Sequence, residues 1–286
     1  MEPRLSASIK INDHSLIKGA YSENSQNLHL LRSSVLELPT DLWVPASEKL
    51  LPEKSKQWSI GSELEIGRGL NLVLEGYYKE MDNLVEYQQG SSVFTIKNDW
   101  EENVETGNGW AYGGELLLQK ADGKTTGWIG YTLSWAYNQF KNLNNGIAFP
   151  SNWDRRHDFV IALQHHFNSK WDIGSNWVFN SGTPYTVQTY ITKYVGIDFP
   201  VRHYMPDLEI YGAKNSMRLP DYNRLDLSLN YHKLSVKHKD KIHHFSFSVY
   251  NAYNRKNVYY KGYLFGRPTQ ASLFPILPSI TYKLSF

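Results

Sequence analysis

SLFPILPSITYKLSF, residues Ser272–Phe286, is the stretch that decides the fold class. Its last eight residues alternate strictly between apolar and polar side chains. Because successive side chains of a β-strand point to opposite faces, this alternation predicts a strand with one apolar and one polar face. The apolar face would hold Ile280, Tyr282, Leu284 and Phe286, and the polar face Ser279, Thr281, Lys283 and Ser285.

The same period of two recurs along the whole chain, for example in RLDLSLNYH (Arg224–His232). Most of the segments are about ten residues long, which is the span of a tilted transmembrane strand. We therefore predict an all-β, antiparallel transmembrane sheet in a single domain, residues 1–286. The pattern predicts eleven strands, near residues 3–11, 15–22, 57–66, 70–80, 109–120, 125–137, 156–167, 171–181, 223–233, 242–254 and 276–286.

The composition favours a surface that meets both lipid and water. Aromatic residues make up 14% of the chain, with 20 Tyr, 9 Trp and 12 Phe, although its mean hydropathy is −0.50. Tyrosine and tryptophan are enriched where an apolar environment borders water. A soluble all-β protein could share this bias.

Several classes of protein are disfavoured by the same composition. The formal net charge is +2 and no basic run stands out, so nucleic acid is not an expected partner. Cysteine is absent, which removes disulfides and thiolate metal sites. No apolar run approaches the roughly 20 residues of a membrane helix. We expect no enzymatic activity, no cofactor and no metal site.

The connections between predicted strands alternate between short and long. Short turns are expected near residues 12–14, 67–69, 121–124, 168–170 and 234–241, and long connections near 23–56, 81–108, 138–155, 182–222 and 255–275. Bacterial outer-membrane barrels have short periplasmic turns and long extracellular loops. The alternation therefore predicts outer-membrane localisation.

An odd number of strands leaves the predicted sheet incomplete. Strands one and eleven would run in the same direction, whereas bacterial barrels close antiparallel and even-numbered. A bilayer does not tolerate an open sheet edge. The chain also opens without a signal peptide, so we expect a fragment, a split-gene product or half of a two-chain receptor.

Several segments resemble the C-terminal half of TonB-dependent outer-membrane receptors. They include GWAYGGELLLQK (Gly109–Lys120), FPSNWDRRHDF (Phe149–Phe159), SGTPYT (Ser181–Thr186), FSVYNAYNRKN (Phe247–Asn257) and the terminal strand with Tyr282, Leu284 and Phe286. The resemblance implies half of a barrel of about 22 strands with a plugged lumen. It also implies import of a ferric siderophore, cobalamin or an oligosaccharide.

The resemblance also implies the partners. They are outer-membrane lipid and lipopolysaccharide, the missing N-terminal half of the barrel with its plug, and the TonB complex, which would act only through that plug. Acidic side chains on the polar face are expected to meet the plug or the passing substrate; they are Glu63, Glu65, Glu75, Glu115 and Asp226. Aromatic loop residues are the candidates for ligand contact; they are Trp43, Trp100, Trp153, Tyr185, Tyr204 and Tyr211.

Histidines and a charged segment invite other interpretations. In His165-His166 and His243-His244 the neighbouring side chains point to opposite faces, so neither pair can chelate one ion by itself. The segment from Asp154 to Asp158, DRRHD, is interpreted as a charged junction whose arginines pair with nearby carboxylates or lipopolysaccharide phosphates.

Two alternatives for the whole chain remain open: a porin-like passive subunit completed by a partner chain, and a soluble carbohydrate-binding β-sandwich.

Overall fold

In the computed structural model, the segments of alternating apolar and polar residues form long strands. The structure describes residues 2–31, 41–67, 69–88, 100–192, 208–234, 242–264 and 267–285. The strands are β1 (Arg4–Asn12), β2 (Ser15–Gln26), β3 (Leu28–Leu31), β4 (Leu42–Pro45), β5 (Glu53–Gly67), β6 (Leu70–Tyr87), β7 (Val104–Lys120), β8 (Thr125–Phe140), β9 (Phe149–Pro150), β10 (His157–His166), β11 (Trp171–Asn180), β12 (Pro184–Tyr185), β13 (Gln188–Thr192), β14 (Leu208–Tyr211), β15 (Met217–Arg218), β16 (Tyr222–Leu234), β17 (Ile242–Tyr250), β18 (Val258–Leu264), β19 (Arg267–Ser272) and β20 (Leu277–Ser285). Two short 3₁₀ helices span Trp100–Asn103 and Leu143–Gly146. None of the helices in these residues is long and apolar enough to cross a membrane.

One large sheet contains the eleven predicted strands, in the order β1-β2-β5-β6-β7-β8-β10-β11-β16-β17-β20, and β9 pairs with β8 beside it. Every neighbouring pair is antiparallel. The prediction of a transmembrane antiparallel sheet is confirmed in its number of strands and in their order along the chain. Several strands extend beyond the predicted ends, and β6 is 18 residues long.

The sheet does not close on itself in the described part of the chain. β1 pairs only with β2, and β20 pairs only with β17. Since each strand is antiparallel to its neighbour, β1 and β20 run in the same direction. The structure is thus an open wall, as the predicted half-barrel requires.

The two faces of this wall differ as the sequence predicts. Along β16, Leu225, Leu227, Leu229 and Tyr231 share the face of Trp177 and Phe247 on the adjacent strands. Large apolar side chains of this face are highly exposed, with Ile280 at 80% and Leu5 at 72%. No second sheet covers them among the described residues, which is contrary to a soluble β-sandwich. On this face the charged residues of the eleven strands lie only near strand ends: Glu23, Lys54, Lys56, Glu80, Asp82, Lys120 and Lys233.

Aromatic rings form rows near both ends of the apolar face. The extracellular row consists of Tyr21, Trp58, Tyr78, Tyr112 and Trp135, which are opposite one another in register. Its ring centroids are 5.3 Å apart for Tyr21–Trp58 and 5.2 Å for Tyr112–Trp135. The periplasmic row consists of Trp171, Tyr231, Phe245 and Tyr282. Such girdles are typical of the two interfaces of an outer-membrane barrel.

Buried side chains are concentrated on the extracellular side of the wall. One cluster contains Leu31, Val44, Leu50, Tyr87 and Val104, with Val85 and Trp100 packed against it. A second contains Phe140, Leu143 and Phe149, with Leu84 packed against it. We call the extracellular segments around these clusters the cap; they are residues 27–31, 41–52, 82–88, 100–108, 138–156, 181–187 and 212–221.

Candidate functional site: the polar face and the cap

The predicted acidic residues all project from the polar face of the wall. Glu75 on β6 is directly opposite Glu115 on β7, and Gly61 on β5 is opposite Glu75. Lys18 is opposite Gly61 on the other side. These positions form one row across four strands, so the carboxylates of Glu75 and Glu115 share a surface with the ammonium group of Lys18.

Within this row, the ion pair between Lys18 and Glu75 passes over Gly61. The Nζ atom of Lys18 lies 3.4 Å from Oε2 of Glu75, although β5 separates the two strands. A Cβ atom on Gly61 would stand 2.8 Å from the carbonyl oxygen of Leu74 and 3.3 Å from Cε of Lys18. Glycine at this position therefore permits the lysine side chain to cover the intervening strand and reach the carboxylate.

Asp226 belongs to a separate cluster on β16. The Arg224 Nε atom lies 3.0 Å from Oδ2 of Asp226, a charge contact without an aligned N–H group. Arg224 Nη1 donates hydrogen bonds to the hydroxyls of Tyr222 (2.8 Å) and Tyr250 (3.1 Å). Asp226 Oδ1 accepts a hydrogen bond from the backbone N–H of Asn251 at 2.9 Å. Asp226 consequently fixes both Arg224 and the start of a loop.

The remaining predicted polar-face residues lie nearer the periplasmic turns, except Glu115. Glu63 accepts a hydrogen bond from Asn71 Nδ2 at 3.0 Å, and Glu65 Oε2 lies 3.3 Å from Nδ1 of His14. Glu115 makes no hydrogen bond or ion pair with another described residue. The structure therefore spreads the five carboxylates over one face and does not gather them into one binding site.

The predicted aromatic loop residues are similarly dispersed. Trp43 on β4 and Trp153 are 56% and 64% exposed. Trp100 instead packs against the first buried cluster of the cap. Tyr185 lies on β12, opposite Met217. Tyr211 belongs to β14, and Tyr204 lies outside the described residues; ligand contact by these six residues stays a prediction.

The sequence did not identify a buried carboxylate that joins three segments of the chain. Asp154 has a fully buried side chain, and its Oδ2 atom accepts a hydrogen bond from Arg218, 64 residues further along the chain. Arg156 approaches the same oxygen at 3.5 Å, and Oδ1 accepts from the N–H of Ala136 at 2.8 Å. The sequence predicts that the arginines of DRRHD pair with carboxylates, but it does not predict that Arg218 is the main partner of Asp154.

Two further contacts attach the segment around residue 214 to the rest of the cap. Lys214 Nζ lies 3.0 Å from Oε1 of Glu86, and the two side chains are only 16% and 11% exposed. Asn215 Nδ2 donates to the carbonyl of Pro150 at 2.8 Å and to Oδ1 of Asn152 at 2.6 Å. No local sequence signal identifies partners so distant in the chain.

Histidines pair across strands and not with their sequence neighbours. His232 Nδ1 lies 2.7 Å from Nδ1 of His244, and His232 Nε2 lies 2.6 Å from Oδ2 of the buried Asp172. Asp172 also accepts from Asn230 and Gln164. Within the described ranges, no group of three or more His, Asp or Glu side chains is arranged to hold a metal ion. The Asp172 cluster braces the polar face near the periplasmic turns.

The C-terminal strand β20 places Tyr282 and Leu284, two of the three terminal-strand residues that carry the family resemblance, on the apolar face. Tyr282 packs against Phe245 with ring centroids 5.0 Å apart, and Leu284 is opposite His243 on β17. Phe286 lies outside the described residues.

The wall, its aromatic rows and its long extracellular segments agree with one protein family. The family model described as "TonB dependent receptor-like, beta-barrel" matches residues 2–254. The chain belongs to this TonB-dependent receptor family. Members of the family are outer-membrane proteins of Gram-negative bacteria, and this chain is likewise a part of an outer-membrane β-barrel. The porin-like alternative has no support from this match, whereas the predicted family is confirmed.

Solved structures of siderophore receptors share the fold of this family member. The ferripyoverdine receptor of Pseudomonas aeruginosa, bound to ferripyoverdine, is 16% identical with a TM-score of 0.63; the alignment covers 99% of this chain and 32% of that one. The unliganded ferric citrate transporter FecA is 12% identical with a TM-score of 0.62, over 99% and 38% of the two chains. The ferric yersiniabactin receptor FyuA of Yersinia pestis is 13% identical with a TM-score of 0.61, over 99% and 36%.

The chain spans about a third of the length of these structures. A search of curated proteins found no match.

Proposed function

We propose that this chain forms the C-terminal part of the barrel of a receptor that imports a scarce nutrient of the ferric siderophore class across the outer membrane. Family membership supports transport as the general role, in preference to catalysis. The siderophore class is supported by the three receptors described above, whose ligands are ferripyoverdine, ferric citrate and ferric yersiniabactin. Residues 1–286 would form a single domain of this receptor.

The open wall is the observation that carries the proposal. Its eleven strands leave β1 and β20 parallel to each other and unpaired on their outer sides. Unpaired backbone groups are not tolerated in the hydrocarbon region of a bilayer. Closure with antiparallel neighbours at both edges requires an odd number of further strands, which would complete the barrel together with an N-terminal plug.

The polar face supports a plugged lumen. It presents acidic groups already held by neighbours, such as Glu75 with Lys18, and others such as Glu115 without a described ion partner. A plug that fills the lumen would supply complementary groups to this surface. We propose that Glu63, Glu65, Glu75, Glu115 and Asp226 contact the plug or substrate, and that the TonB complex acts on the receptor only through the plug.

Uptake in whole cells tests the transport proposal. A strain that lacks the gene containing this chain, and the same strain with the gene restored, would be supplied with single radiolabelled ferric siderophores under iron limitation. We expect one of them to accumulate only when the gene is present, and we expect an uncoupler of the proton-motive force to stop its accumulation. Gene-dependent uptake that an uncoupler does not affect would identify a passive channel and contradict the proposal.

A second experiment tests incompleteness. Residues 1–286 and the full product of the gene would be refolded in detergent and compared on semi-native gels before and after heating. We expect only the longer protein to give the compact, heat-sensitive band of a closed barrel. A closed barrel from residues 1–286 alone, or a folded monomer without detergent, would exclude the half-barrel.

A further inference from the structure

A shallow groove of about 570 Å³ lies on the apolar face of the wall. Gly76 on β6 and Gly114 on β7 are opposite each other in register and form its floor. The flanking positions of the same row are Ile60 on β5 and Leu133 on β8. Leu74, Leu116 and Tyr131 line the groove toward the periplasm. The volume is in the range of about 300–1,000 Å³ that is usual for small-ligand sites.

Packing within the protein does not require a glycine at either floor position. A Cβ atom on Gly76 would be 3.8 Å from its nearest contact, the carbonyl oxygen of Gly113, and one on Gly114 would be 3.9 Å from that of Glu75. On the polar face, by contrast, a Cβ on Gly113 would be only 2.6 Å from the carbonyl oxygen of Leu133. Glycine weakens a strand interior and commonly marks a place where a ligand approaches the backbone.

The groove lies immediately below the extracellular aromatic row. Tyr78 and Tyr112 of that row are two residues from Gly76 and Gly114 on the same face. The next row outward contains Glu23, Lys56 and Glu80, which are opposite one another. The groove therefore begins where charged and aromatic groups end, at the depth where the acyl chains of outer-leaflet lipids start.

We propose that the groove is a specific site for one acyl chain of an outer-leaflet lipid of the surrounding membrane. Apart from Ser62, the side chains that line it on this face are aliphatic and aromatic, and the side chains of the lining residues Glu75 and Glu115 lie on the opposite face of the sheet. An apolar ligand is therefore complementary to it. Ile60 and Leu133 are three interstrand spacings apart, about 14 Å, with only the two glycines between them. The depression is bounded along the strands by Tyr78 and Tyr112 on one side and by Leu74 and Leu116 on the other, and it opens onto the lipid-facing surface. The proposal does not depend on the imported nutrient.

Photocrosslinking tests the site in the full-length receptor, purified from outer membranes and placed in phosphatidylcholine nanodiscs. A small fraction of the phosphatidylcholine would carry a diazirine on one acyl chain, and labelled peptides would be mapped by mass spectrometry. We expect the label to concentrate on β6 and β7 around Gly76 and Gly114, above the level on the apolar faces of β11 and β16. Uniform labelling of the apolar face would overturn the proposal.

Variants that fill the groove provide the decisive comparison. In the double variant Gly76→Leu, Gly114→Leu, we expect labelling at the groove to fall about tenfold, equivalent to about 1.4 kcal/mol of binding. The matched control is Ser175→Leu, a small-to-large change on the same apolar face of β11, which should leave the labelling unchanged. A shift in gel mobility on heating shows that each variant still forms a barrel. The double variant Gly76→Ala, Gly114→Ala fills the groove less than the leucine variant and provides a milder test. Labelling that the leucine variant does not reduce would contradict an acyl-chain site.

A protein occupant would give a different result. The chain contains no cysteine, so a single cysteine introduced at Gly76 can be tested for disulfide formation in native membranes. We expect no protein adduct at this position. A reproducible disulfide with a second copy or with another membrane protein would overturn the proposal and assign the groove to a protein interface.

Discussion

The wall and the cap are parts of the same strands and connections, yet they are stabilised in different solvents. In the wall, apolar side chains point away from the polar face and remain uncovered by protein, as Ile60 at 67% exposure shows. In the cap, Phe140 and Phe149 are each 2% exposed and pack on each other. Lipid surrounds the first group of side chains, whereas protein covers the second group inside a cap that water surrounds.

This difference determines what a residue contributes. In the wall, the face on which a side chain lies matters most, because the backbone ladder is already complete and lipid accepts any apolar group. In the cap, apolar groups must bury one another, and polar groups removed from water must find partners. A polar or charged side chain placed on the apolar face should therefore destabilise the wall, and the removal of a buried polar partner should destabilise the cap.

The largest effect is expected from a charge on the apolar face of the wall. Leu227→Lys places an ammonium group among lipid chains at the middle of β16, and a lysine at the bilayer midplane costs about 2–4 kcal/mol. Ser228→Lys, one residue further on, faces the polar side opposite Ser248 and should cost much less. Denaturant unfolding of the full-length receptor in lipid vesicles measures both. Equal destabilisation by the two lysines would show that the faces are wrongly assigned.

A smaller effect is expected when the cap loses a buried partner. Asp154→Ala removes the carboxylate that Arg218, Arg156 and the N–H of Ala136 share. Because hydrogen bonds to charged groups contribute about 1.5–3 kcal/mol each and both arginines keep some access to water, we expect a loss of about 2–3 kcal/mol. Hydrogen exchange should increase in residues 149–156 and 213–220, with the wall unchanged.

The control for Asp154 is its neighbour Arg155. Its ion pair with Asp158 is long, 3.8 Å, and its side chain is 45% exposed. Arg155→Ala should therefore change exchange very little. If Asp154→Ala also left hydrogen exchange unchanged, the buried network would have no role in holding the cap together.

The same division explains how much of the fold the sequence could predict. In the wall, alternation such as Leu225, Leu227 and Leu229 against Asp226 and Ser228 fixes strand, face and pairing, since a one-residue slip would expose every polar group to lipid. Tight turns and antiparallel order then follow. The extra length of β6, up to Tyr87, was not predicted because its upper end leaves the membrane and packs in the cap.

Contacts in the cap could not be predicted in this way. Asp154 finds Arg218, and Glu86 finds Lys214, across 64 and 128 residues of chain. Such pairs depend on how loops fold back, for which periodicity carries no signal. Likewise, adjacent histidines were considered, whereas His232 and His244 meet because the short connection between β16 and β17 places them in register.

Alanine substitutions at two glycines on opposite faces of the wall should differ in their effect on stability, and the larger effect should be intermediate in size. Gly61→Ala forces a Cβ atom to 2.8 Å from the carbonyl oxygen of Leu74, on the polar face beneath the Lys18 side chain. Overpacking of this kind costs typically about 1–3 kcal/mol. Gly76→Ala, on the apolar face, meets nothing closer than 3.8 Å and should be neutral or slightly stabilising. Vesicle unfolding measures the pair, and a neutral Gly61→Ala would mean that the strands can move apart at this point.

The smallest effect is expected from the ion pair between Glu86 and Lys214. A double-mutant cycle with Glu86→Gln and Lys214→Met should give a coupling energy of about 1 kcal/mol, because both groups are mostly shielded from water and yet can be partly rehydrated. The reference is the exposed pair Lys10–Asp13, 2.8 Å apart at a periplasmic turn, for which the cycle with Lys10→Met and Asp13→Asn should give near zero. Local stability from hydrogen exchange of residues 212–216 and of β1 supplies the energies. Similar coupling in both pairs would mean that burial adds nothing to the cap contact, and the distinction between cap and wall would then rest on apolar packing alone.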